Sequence, residues 1–185
     1  MQNQQPMLPD RARVIIVGGG IAGASVAYHL AKLGWSEVVL LEQGRLAGGT
    51  TWHAAGMVGR LRTSSSMTKI NEYSVQLYST LEQETGHPTS WNQVGSLIVA
   101  RCEERMTQLR RTVAMAEYLG VEAHMIGVDA AHEKCPIMKT DDLLGAAWLP
   151  GDGKVQPEET TLSLASGARA GGVKIVEGVR VEALN

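Results

Sequence analysis

Features that direct a chain into or across a membrane are scarce in this sequence. No apolar stretch reaches the length of about 20 residues that a membrane-spanning helix needs. The start of the chain has neither the basic residues nor the apolar run of a secretory signal peptide. Only two cysteines are present, Cys102 and Cys135, and they lack CxxC spacing. We therefore expect a cytoplasmic protein whose two thiols are buried and reduced.

An excess of positive charge is also missing. The chain has 17 lysines and arginines against 19 aspartates and glutamates, which gives a net charge of −2. Nucleic acids and anionic membrane surfaces bind basic patches, so we expect neither as a partner. Metal ligands at regular spacing are absent too, and we expect no metal site. The histidines outside the loop described below are scattered: His29, His87, His124 and His132.

The sequence does have enough apolar material for a core. Hydrophobic residues make up 44% of the 185 positions, as in globular rather than disordered proteins. This length suits one domain or slightly more. Residues 1–12 precede the first apolar run, and we predict that they form a flexible N-terminus.

A buried strand, a glycine turn and a helix are predicted at the start of the core. Residues 14–17 are apolar, and the helical pattern begins after three glycines spaced as GxGxxG. In this motif Gly18 allows the sharp turn, Gly20 leaves room for a pyrophosphate and Gly23 lets the helix lie close to the sheet. The helix N-terminus then favours the negative charge of the phosphates.

Glu42 supports the prediction of a dinucleotide site. It ends a second apolar run, residues 38–41, and lies 19 positions beyond Gly23. A carboxylate at this strand end accepts hydrogen bonds from both ribose hydroxyls of an adenosine, whereas it repels a 2′-phosphate. NADP is therefore disfavoured, which leaves NAD or FAD.

The loop that follows, residues 43–59, contains five glycines, two threonines, one tryptophan and one histidine. Connections in compact domains are usually shorter, and long ordered loops tend to be functional. We therefore place candidate site residues in this loop.

The rest of the chain alternates between helical and strand patterns. Because these elements interrupt the β-α-β unit, we predict an α/β fold with a discontinuous nucleotide-binding domain, residues 13–60 and 151–185, and an inserted domain, residues 61–150. Such an interruption favours FAD over NAD. Helices are predicted at 64–85, 103–119, 128–134 and 157–170, strands at 94–100, 122–126, 143–149, 173–176 and 179–184, and a turn at 150–153.

Three motifs resemble the FAD-dependent amine oxidoreductases of the D-amino-acid oxidase superfamily, and most closely the sarcosine and dimethylglycine dehydrogenase group. They are the glycine turn with Glu42, the segment from Ala47 to Gly56 (AGGTTWHAAG), and the turn at 150–153 followed by Pro157. The first is shared by very many flavoproteins, while the second is quite specific. Together the motifs extend the resemblance over nearly the whole chain from Arg13 onward.

The resemblance implies a Rossmann-like FAD-binding domain with an inserted α+β substrate domain, both incomplete. It also implies oxidative demethylation of a small N-methyl amine such as sarcosine or dimethylglycine, with hydride transfer to flavin N5. An electron-acceptor protein or oxygen then reoxidises the flavin. The groups that orient the amine in this family are expected beyond Asn185, so we expect an N-terminal portion of such an enzyme that is catalytically incomplete by itself.

Carried over residue by residue, the resemblance implies covalent attachment of the flavin to His53, the counterpart of a histidine bonded to the 8α carbon. The hydroxyls and backbone around Thr51 would contact the pyrophosphate and ribityl chain, and the backbone at Val181, in a predicted strand, would meet the adenine. The complete predicted cofactor site is Gly18, Gly20, Ile21, Ala22, Gly23, Glu42, Gln43, Gly49, Thr50, Thr51, Trp52, His53, Ala54, Ala55, Gly56, Met57 and Val181.

Several alternatives stay open at this stage. His53 also suits a polar loop histidine bonded to backbone, and Val181 suits an ordinary buried valine. Arg60 and Arg62 follow the flavin loop, and two roles are open for them: binding a substrate carboxylate or lying on the protein surface. For the whole chain the alternatives are a non-catalytic FAD-binding regulatory relative, a truncated fragment without activity, and an NAD-dependent Rossmann enzyme.

Overall fold

The computed structural model describes residues 8–183 of the chain. Residues 1–7 of the predicted flexible N-terminus, residue 184 of the predicted strand at 179–184, and residues 184–185 of the second nucleotide-binding segment lie outside this range. The described elements are, in chain order, β1 (Val14–Val17), α1 (Ile21–Lys32), β2 (Val38–Glu42), a 3-10 turn (Thr51–His53), β3 (Met57–Val58), α2 (Ser65–Thr85), β4 (Ser96–Ala100), α3 (Glu103–Tyr118), β5 (His124–Ile126), α4 (Val128–Lys134), β6 (Gly145–Leu149), β7 (Gly153–Lys154), α5 (Pro157–Ala170) and β8 (Lys174–Glu177).

The chain divides into two compact units, each assembled from more than one segment. Unit 1 comprises the chain up to Gly56, Tyr78–Trp91, and the chain from Val155 onward. Unit 2 comprises Met57–Leu77 and Asn92–Lys154. The predicted domain boundaries, at residues 60 and 151, lie near Met57 and Lys154, which are two of the segment ends of unit 2. The prediction did not assign Tyr78–Trp91, which contain the second half of α2, to unit 1. The assignment of a substrate domain to residues 61–150 stays a prediction.

Unit 1 is built on a parallel three-stranded sheet in the order β1-β2-β8. β2 is central: Leu41 is paired with Val17 on one side and with Val176 on the other. The helices α1 and α5 pack against each other. Leu40 and Leu164 are both fully buried in this core. Two parallel pairings, with a helix leading into each next strand, confirm the predicted α/β class.

Close packing in unit 1 depends on glycine at two helix positions. A Cβ atom on Gly23 would lie 1.9 Å from the Gly18 carbonyl oxygen. A Cβ atom on Gly167 would lie 2.7 Å from the Tyr28 ring. The absence of a side chain therefore lets α1 begin close to β1 and lets α5 approach α1.

Unit 2 contains an antiparallel three-stranded sheet in the order β4-β6-β5. Helix α3 packs on this sheet, with Leu109 buried against Ala100 and Ala147. A separate two-stranded pairing joins β3 to β7, with Met57 opposite Lys154. The antiparallel sheet, the helix that covers it and the short ribbon give this unit a different architecture from unit 1.

Most predicted elements are confirmed, and α4 and α5 have the predicted bounds. The predicted strand at 179–184 is wrong over its described residues, 179–183, which form no strand. Gly178 has a φ of +76°, and its N–H donates to Gly44 O, while the N–H of Val179 donates to Glu42 O. The chain therefore turns across the end of β2 after β8 instead of continuing as a strand.

The buried face of α2 does not follow the apolar residues of its sequence. Met67 and Ile70 recur at helical spacing, but they are 48% and 58% exposed. Thr68 and Val75 are buried in that part of the helix. The difference arises because apolar spacing alone does not show which side of a helix meets a neighbouring element.

Surface features also differ in part from expectation. Cys102 is exposed and Cys135 is half-buried, so the prediction of two buried thiols is wrong. Cys102 precedes the first residue of α3 and occupies its N-cap. None of the helices in the described part of the chain combines the length and apolar content that a bilayer crossing requires.

Candidate functional site

The glycine turn after β1 begins the candidate site in unit 1. Gly18 has a φ of +101°, which glycine adopts without a steric penalty. Its N–H donates to Leu41 O at 2.8 Å, so the turn stays attached to the end of β2. The chain then enters α1 at Ile21, with Gly20 in an extended conformation at the N-cap. The backbone N–H groups of the first helical turn thus lie at the carboxyl end of the sheet.

The Glu42 carboxylate lies next to this turn. Its Oε2 accepts the Gly19 N–H at 2.6 Å, and its Oε1 accepts the Gly44 N–H at 2.8 Å. An ionised carboxylate has about four lone-pair sites, so each oxygen can accept one further hydrogen bond. The arrangement holds a negative charge and free acceptor capacity beside the N-terminus of α1.

Thr51 connects the long loop to the start of α1. The Ile21 N–H donates to Thr51 Oγ1 at 3.1 Å, and the Thr51 side chain is buried. A Cβ atom on Gly20 would lie 3.1 Å from the same oxygen. Gly20 has no side chain to cap the helix, so a hydroxyl 30 positions away satisfies one of the N–H groups that lack an intrahelical partner.

The loop between β2 and Gly56 is held in place by further backbone contacts. The Ala47 N–H donates to Gly19 O at 2.9 Å, and the Leu46 N–H donates to Glu177 Oε1 at 2.6 Å. Leu46 and Ala47 are both buried. The loop is therefore anchored on the glycine turn at one point and on β8 at another.

Trp52 and His53 protrude from the anchored loop. Their ring centroids are 3.8 Å apart, and the ring planes are tilted by 59°. Both side chains are exposed, and the backbone is fixed by the His53 N–H, which donates to Thr50 O. The imidazole of His53 is therefore exposed to a ligand, while the His53 backbone is held in a hydrogen-bonded turn.

The end of the loop is packed against the start of α5. Gly56 has a φ of +73°, and a Cβ atom there would lie 2.2 Å from Val155 O. The Val155 N–H in turn donates to Gly56 O at 2.9 Å. Gly56 is therefore a position at which only glycine fits.

The predicted site residues fall into three groups. The glycine turn, Glu42 and Thr51 meet at the carboxyl ends of β1 and β2. Gln43, Gly49, Thr50 and Trp52 to Ala55 are exposed along the loop of unit 1. Two predicted residues differ: Met57 belongs to unit 2, and Val181 is half-buried in a segment without strand pairing. The binding role of every one of these residues stays a prediction.

The structure also identifies two acidic residues with defined contacts that the sequence did not indicate as site residues. Glu177 anchors the loop through the Leu46 N–H. Its place directly after the predicted strand 173–176 is the only signal in the sequence, whereas its pairing with Glu42 is visible only in the structure. Asp152 was interpreted only as a turn residue. It is a buried carboxylate, 6% exposed, and no local sequence pattern indicates that burial.

Asp152 lines a cavity of about 460 Å³ in unit 2. The other wall residues include Met57, Ile98, Met115 and Arg62. Apolar side chains thus form much of the wall, and a carboxylate and a guanidinium are the charged groups in it. A mainly apolar cavity with few polar groups is typical of a small-molecule site.

Comparison with known proteins places this geometry in a family. The DAO family of FAD-dependent oxidoreductases matches residues 13–185. Among curated relatives, the chain is 42% identical over 174 residues to the mitochondrial pyruvate dehydrogenase phosphatase regulatory subunit of Mus musculus, which covers 94% of this chain and 20% of the relative. It is 39% identical over 168 residues to the mitochondrial dimethylglycine dehydrogenase of Rattus norvegicus, with 91% and 20% covered.

A solved structure gives the same result. The L-proline dehydrogenase of P. horikoshii superposes with a TM-score of 0.89 at 27% identity, over 95% of this chain and 46% of that one. The chain spans about a fifth of the length of the two curated relatives described above. The family match over nearly all of the chain, the parallel sheet and the glycine turn with Glu42 agree, and the chain therefore belongs to the DAO family of FAD-dependent oxidoreductases.

Proposed function

We propose that this chain supplies the dinucleotide-binding part of a flavin site in an enzyme that oxidatively demethylates N-methyl amines such as sarcosine or dimethylglycine. One observation carries the cofactor part of the proposal. The Glu42 carboxylate, brought to 2.6 Å from the Gly19 N–H, lies beside the N-terminus of α1. Acceptors for ribose and donors for a pyrophosphate are thus adjacent, as a dinucleotide requires.

The residues present fit FAD. Space for phosphate oxygens is available in the loop, because nothing lies within 4 Å of a Cβ built on Gly49. In the proposal Glu42 would accept hydrogen bonds from the ribose hydroxyls. The N–H groups of the first turn of α1 that follow Ile21, whose own N–H is bonded to Thr51, would donate to the pyrophosphate. Thr51 accepts from Ile21 and keeps its own hydroxyl proton for a phosphate oxygen.

The amine chemistry rests on the resemblance to dimethylglycine dehydrogenase and on family membership. When bound, the flavin supplies a hydride acceptor at N5 for the N-methyl carbon of the amine. The chain's own part is to bind and orient the dinucleotide through unit 1. An electron-acceptor protein or oxygen as the final oxidant, and a cytoplasmic location, also stay predictions, while the two relatives described above are mitochondrial by name.

We further propose that His53 is the residue that would hold the flavin covalently. Support comes from the exposure of its imidazole and from its place in a fixed turn of the anchored loop. A neutral imidazole nitrogen is a competent nucleophile near physiological pH. The contact with the Trp52 ring restricts the directions that the imidazole can take.

One experiment tests both FAD binding and covalent attachment: the visible spectrum of the purified chain is taken before and after acid precipitation. We expect yellow colour that stays with the pellet in the wild type and moves to the supernatant in His53→Ala. His87→Ala, an exposed histidine of the same unit, is the matched control and should behave like the wild type. Colour released from the wild type would refute covalent attachment but retain FAD. A colourless chain that takes up no added FAD would contradict the cofactor proposal itself.

A second function is supported by the similarity to a regulatory subunit, at 42% identity. In this alternative the chain belongs to a protein that binds FAD and does not oxidise an amine. Anaerobic addition of dimethylglycine to the FAD-loaded protein distinguishes the two. Bleaching of the flavin absorbance supports the enzyme, whereas stable absorbance with tight FAD binding supports the regulatory function. Family membership favours FAD over NAD in both.

A further inference from the structure

Gly59 in unit 2 keeps open a space between two opposite charges. A Cβ atom built on Gly59 would lie 3.1 Å from Asp152 Oδ2 and 3.4 Å from Arg62 Nη1. Both Asp152 and Arg62 line the cavity of about 460 Å³, and Gly59 lies in its wall. The smallest side chain at position 59 would therefore crowd the gap that separates the carboxylate from the guanidinium.

The Asp152 carboxylate is held in place and still has acceptor capacity. Its Oδ1 accepts the Arg60 N–H at 2.8 Å, and its Oδ2 accepts the Ser96 hydroxyl at 2.5 Å. The residue is only 6% exposed. With two of about four lone-pair sites used, Oδ2 can accept a further hydrogen bond from a cation in the cavity.

Arg62 has a fixed backbone and spare donors. Its N–H donates to Thr68 Oγ1 at 3.1 Å, and Nη1 donates to Leu61 O at 2.8 Å. A guanidinium has five N–H donors in a planar fork, so donors remain for a carboxylate. The apolar part of the wall includes Met57, Ile98, Met115 and Leu149, and the uncharged polar residues in it are Thr63, Ser96 and Thr112.

We propose that this cavity binds a zwitterionic N-methyl amino acid across Gly59. The protonated amine donates its N–H to Asp152 Oδ2, the carboxylate of the ligand accepts from the Arg62 guanidinium, and the methyl groups contact the apolar wall. The choice of an N-methyl amino acid rests on the proposed function. The inference that one small ligand carries both a positive and a negative charge rests only on the positions of Gly59, Asp152 and Arg62.

The proposal is tested by titrating the isotope-labelled chain with dimethylglycine and three analogues. The measured quantity is the chemical shift of each backbone amide. Isovalerate has the same shape with carbon in place of nitrogen, N,N-dimethylethylamine lacks the carboxylate, and glycine betaine has no N–H donor. We expect dimethylglycine to shift the amides of Gly59 and Arg60 saturably, and each analogue to bind at least about tenfold more weakly. Equal binding of isovalerate or betaine would overturn the role of Asp152, and equal binding of the amine would overturn that of Arg62.

Two variants test the residues without removing the hydrogen bonds of Asp152. Gly59→Ala narrows the gap, and Arg62→Met removes the guanidinium but keeps the backbone bond to Thr68. We expect both to weaken dimethylglycine binding about tenfold. Arg101→Met, which removes an exposed guanidinium paired with Asp142, is the control and should bind as the wild type does. Wild-type affinity in Gly59→Ala and Arg62→Met, or no shift at Gly59 in the wild type, would overturn the proposal.

The outcome is separate from that of the flavin experiment. Amide shifts are measured without FAD, and FAD uptake is measured without the amino acid. A chain that binds FAD but gives no shift at Gly59 would refute this inference and leave the cofactor proposal intact. Saturable shifts in a chain that takes up no FAD would support the cavity site and contradict the proposed flavin function.

Discussion

Gly19 donates its backbone N–H to the Glu42 carboxylate at 2.6 Å, although 23 positions separate the two residues. This bond joins the glycine turn after β1 to the end of β2. A charge-assisted bond of this length orders the turn and fixes the carboxylate for a ligand. The turn and the carboxylate of the proposed dinucleotide site are therefore held together by the protein's own hydrogen bonds.

Glu42→Gln should weaken FAD binding about tenfold. The amide oxygen of glutamine can still accept the Gly19 N–H, but its NH₂ group donates where the carboxylate accepted, so one ribose hydroxyl loses its acceptor. Quenching of FAD fluorescence on titration measures the affinity. Glu122→Gln, an exposed change of the same charge in unit 2, is the control. Unchanged affinity in Glu42→Gln would remove Glu42 from the binding site.

Gly23→Ala should destabilise unit 1 by about 2–3 kcal/mol, because the added Cβ would lie 1.9 Å from a backbone oxygen that cannot move freely. Urea unfolding of the chain without FAD measures the change. Gly49→Ala is the matched control, since its Cβ meets nothing within 4 Å, and it should change stability by less than about 0.5 kcal/mol. Equal stability of the two variants would show that α1 does not approach β1 as closely as described.

Thr51→Val should cost about 1 kcal/mol of stability, because the Ile21 N–H loses the hydroxyl that caps α1. Thr51→Ser keeps an acceptor at the same position and should lose less. Hydrogen exchange at the Ile21 amide gives a local reading, and we expect it to speed up in the valine variant only. Equal exchange rates in both variants would mean that Thr51 does not cap the helix.

The Glu84 carboxylate on α2 accepts the Tyr28 hydroxyl at 2.6 Å and a Lys32 ammonium N–H at 3.1 Å. These bonds, first the one from Tyr28, lower the pKa of Glu84 below its usual 4.5. Its contribution to stability is therefore present above pH 4.5 and is lost as the pH falls through the lower pKa of the folded state. Because the group is largely exposed, we expect less than about 1 kcal/mol.

Urea unfolding over a pH series tests this prediction. Glu84→Gln should be less stable than the wild type near neutral pH, and the difference should vanish in acid once Glu84 is protonated in the folded state. Glu82→Gln, which removes the same charge at an exposed position of the same helix, is the control. A difference between Glu84→Gln and the wild type that persists in strong acid would assign the effect to packing rather than to charge.

The sequence by itself determined the elements whose signals are local. The glycine spacing from Gly18 to Gly23 and the apolar runs on either side predicted β1, α1 and β2, because turn conformation and periodicity depend on neighbouring residues. Helix α5 was predicted with its bounds, since Pro157 opens it and Gly171 follows its last residue. The motif around Trp52 and His53 also consists of adjacent residues, so the sequence alone was enough for it to indicate the family.

Only the tertiary structure decided which distant residues meet. The Thr51 cap on Ile21, the contact of Leu46 with Glu177 and the position of Gly59 between Asp152 and Arg62 join segments that are far apart in the chain. The burial of Asp152, the exposure of Cys102 and the end of strand structure after Gly178 depend in the same way on neighbouring elements. A local pattern contains periodicity and turn chemistry, but not the identity of the surface that an element will face.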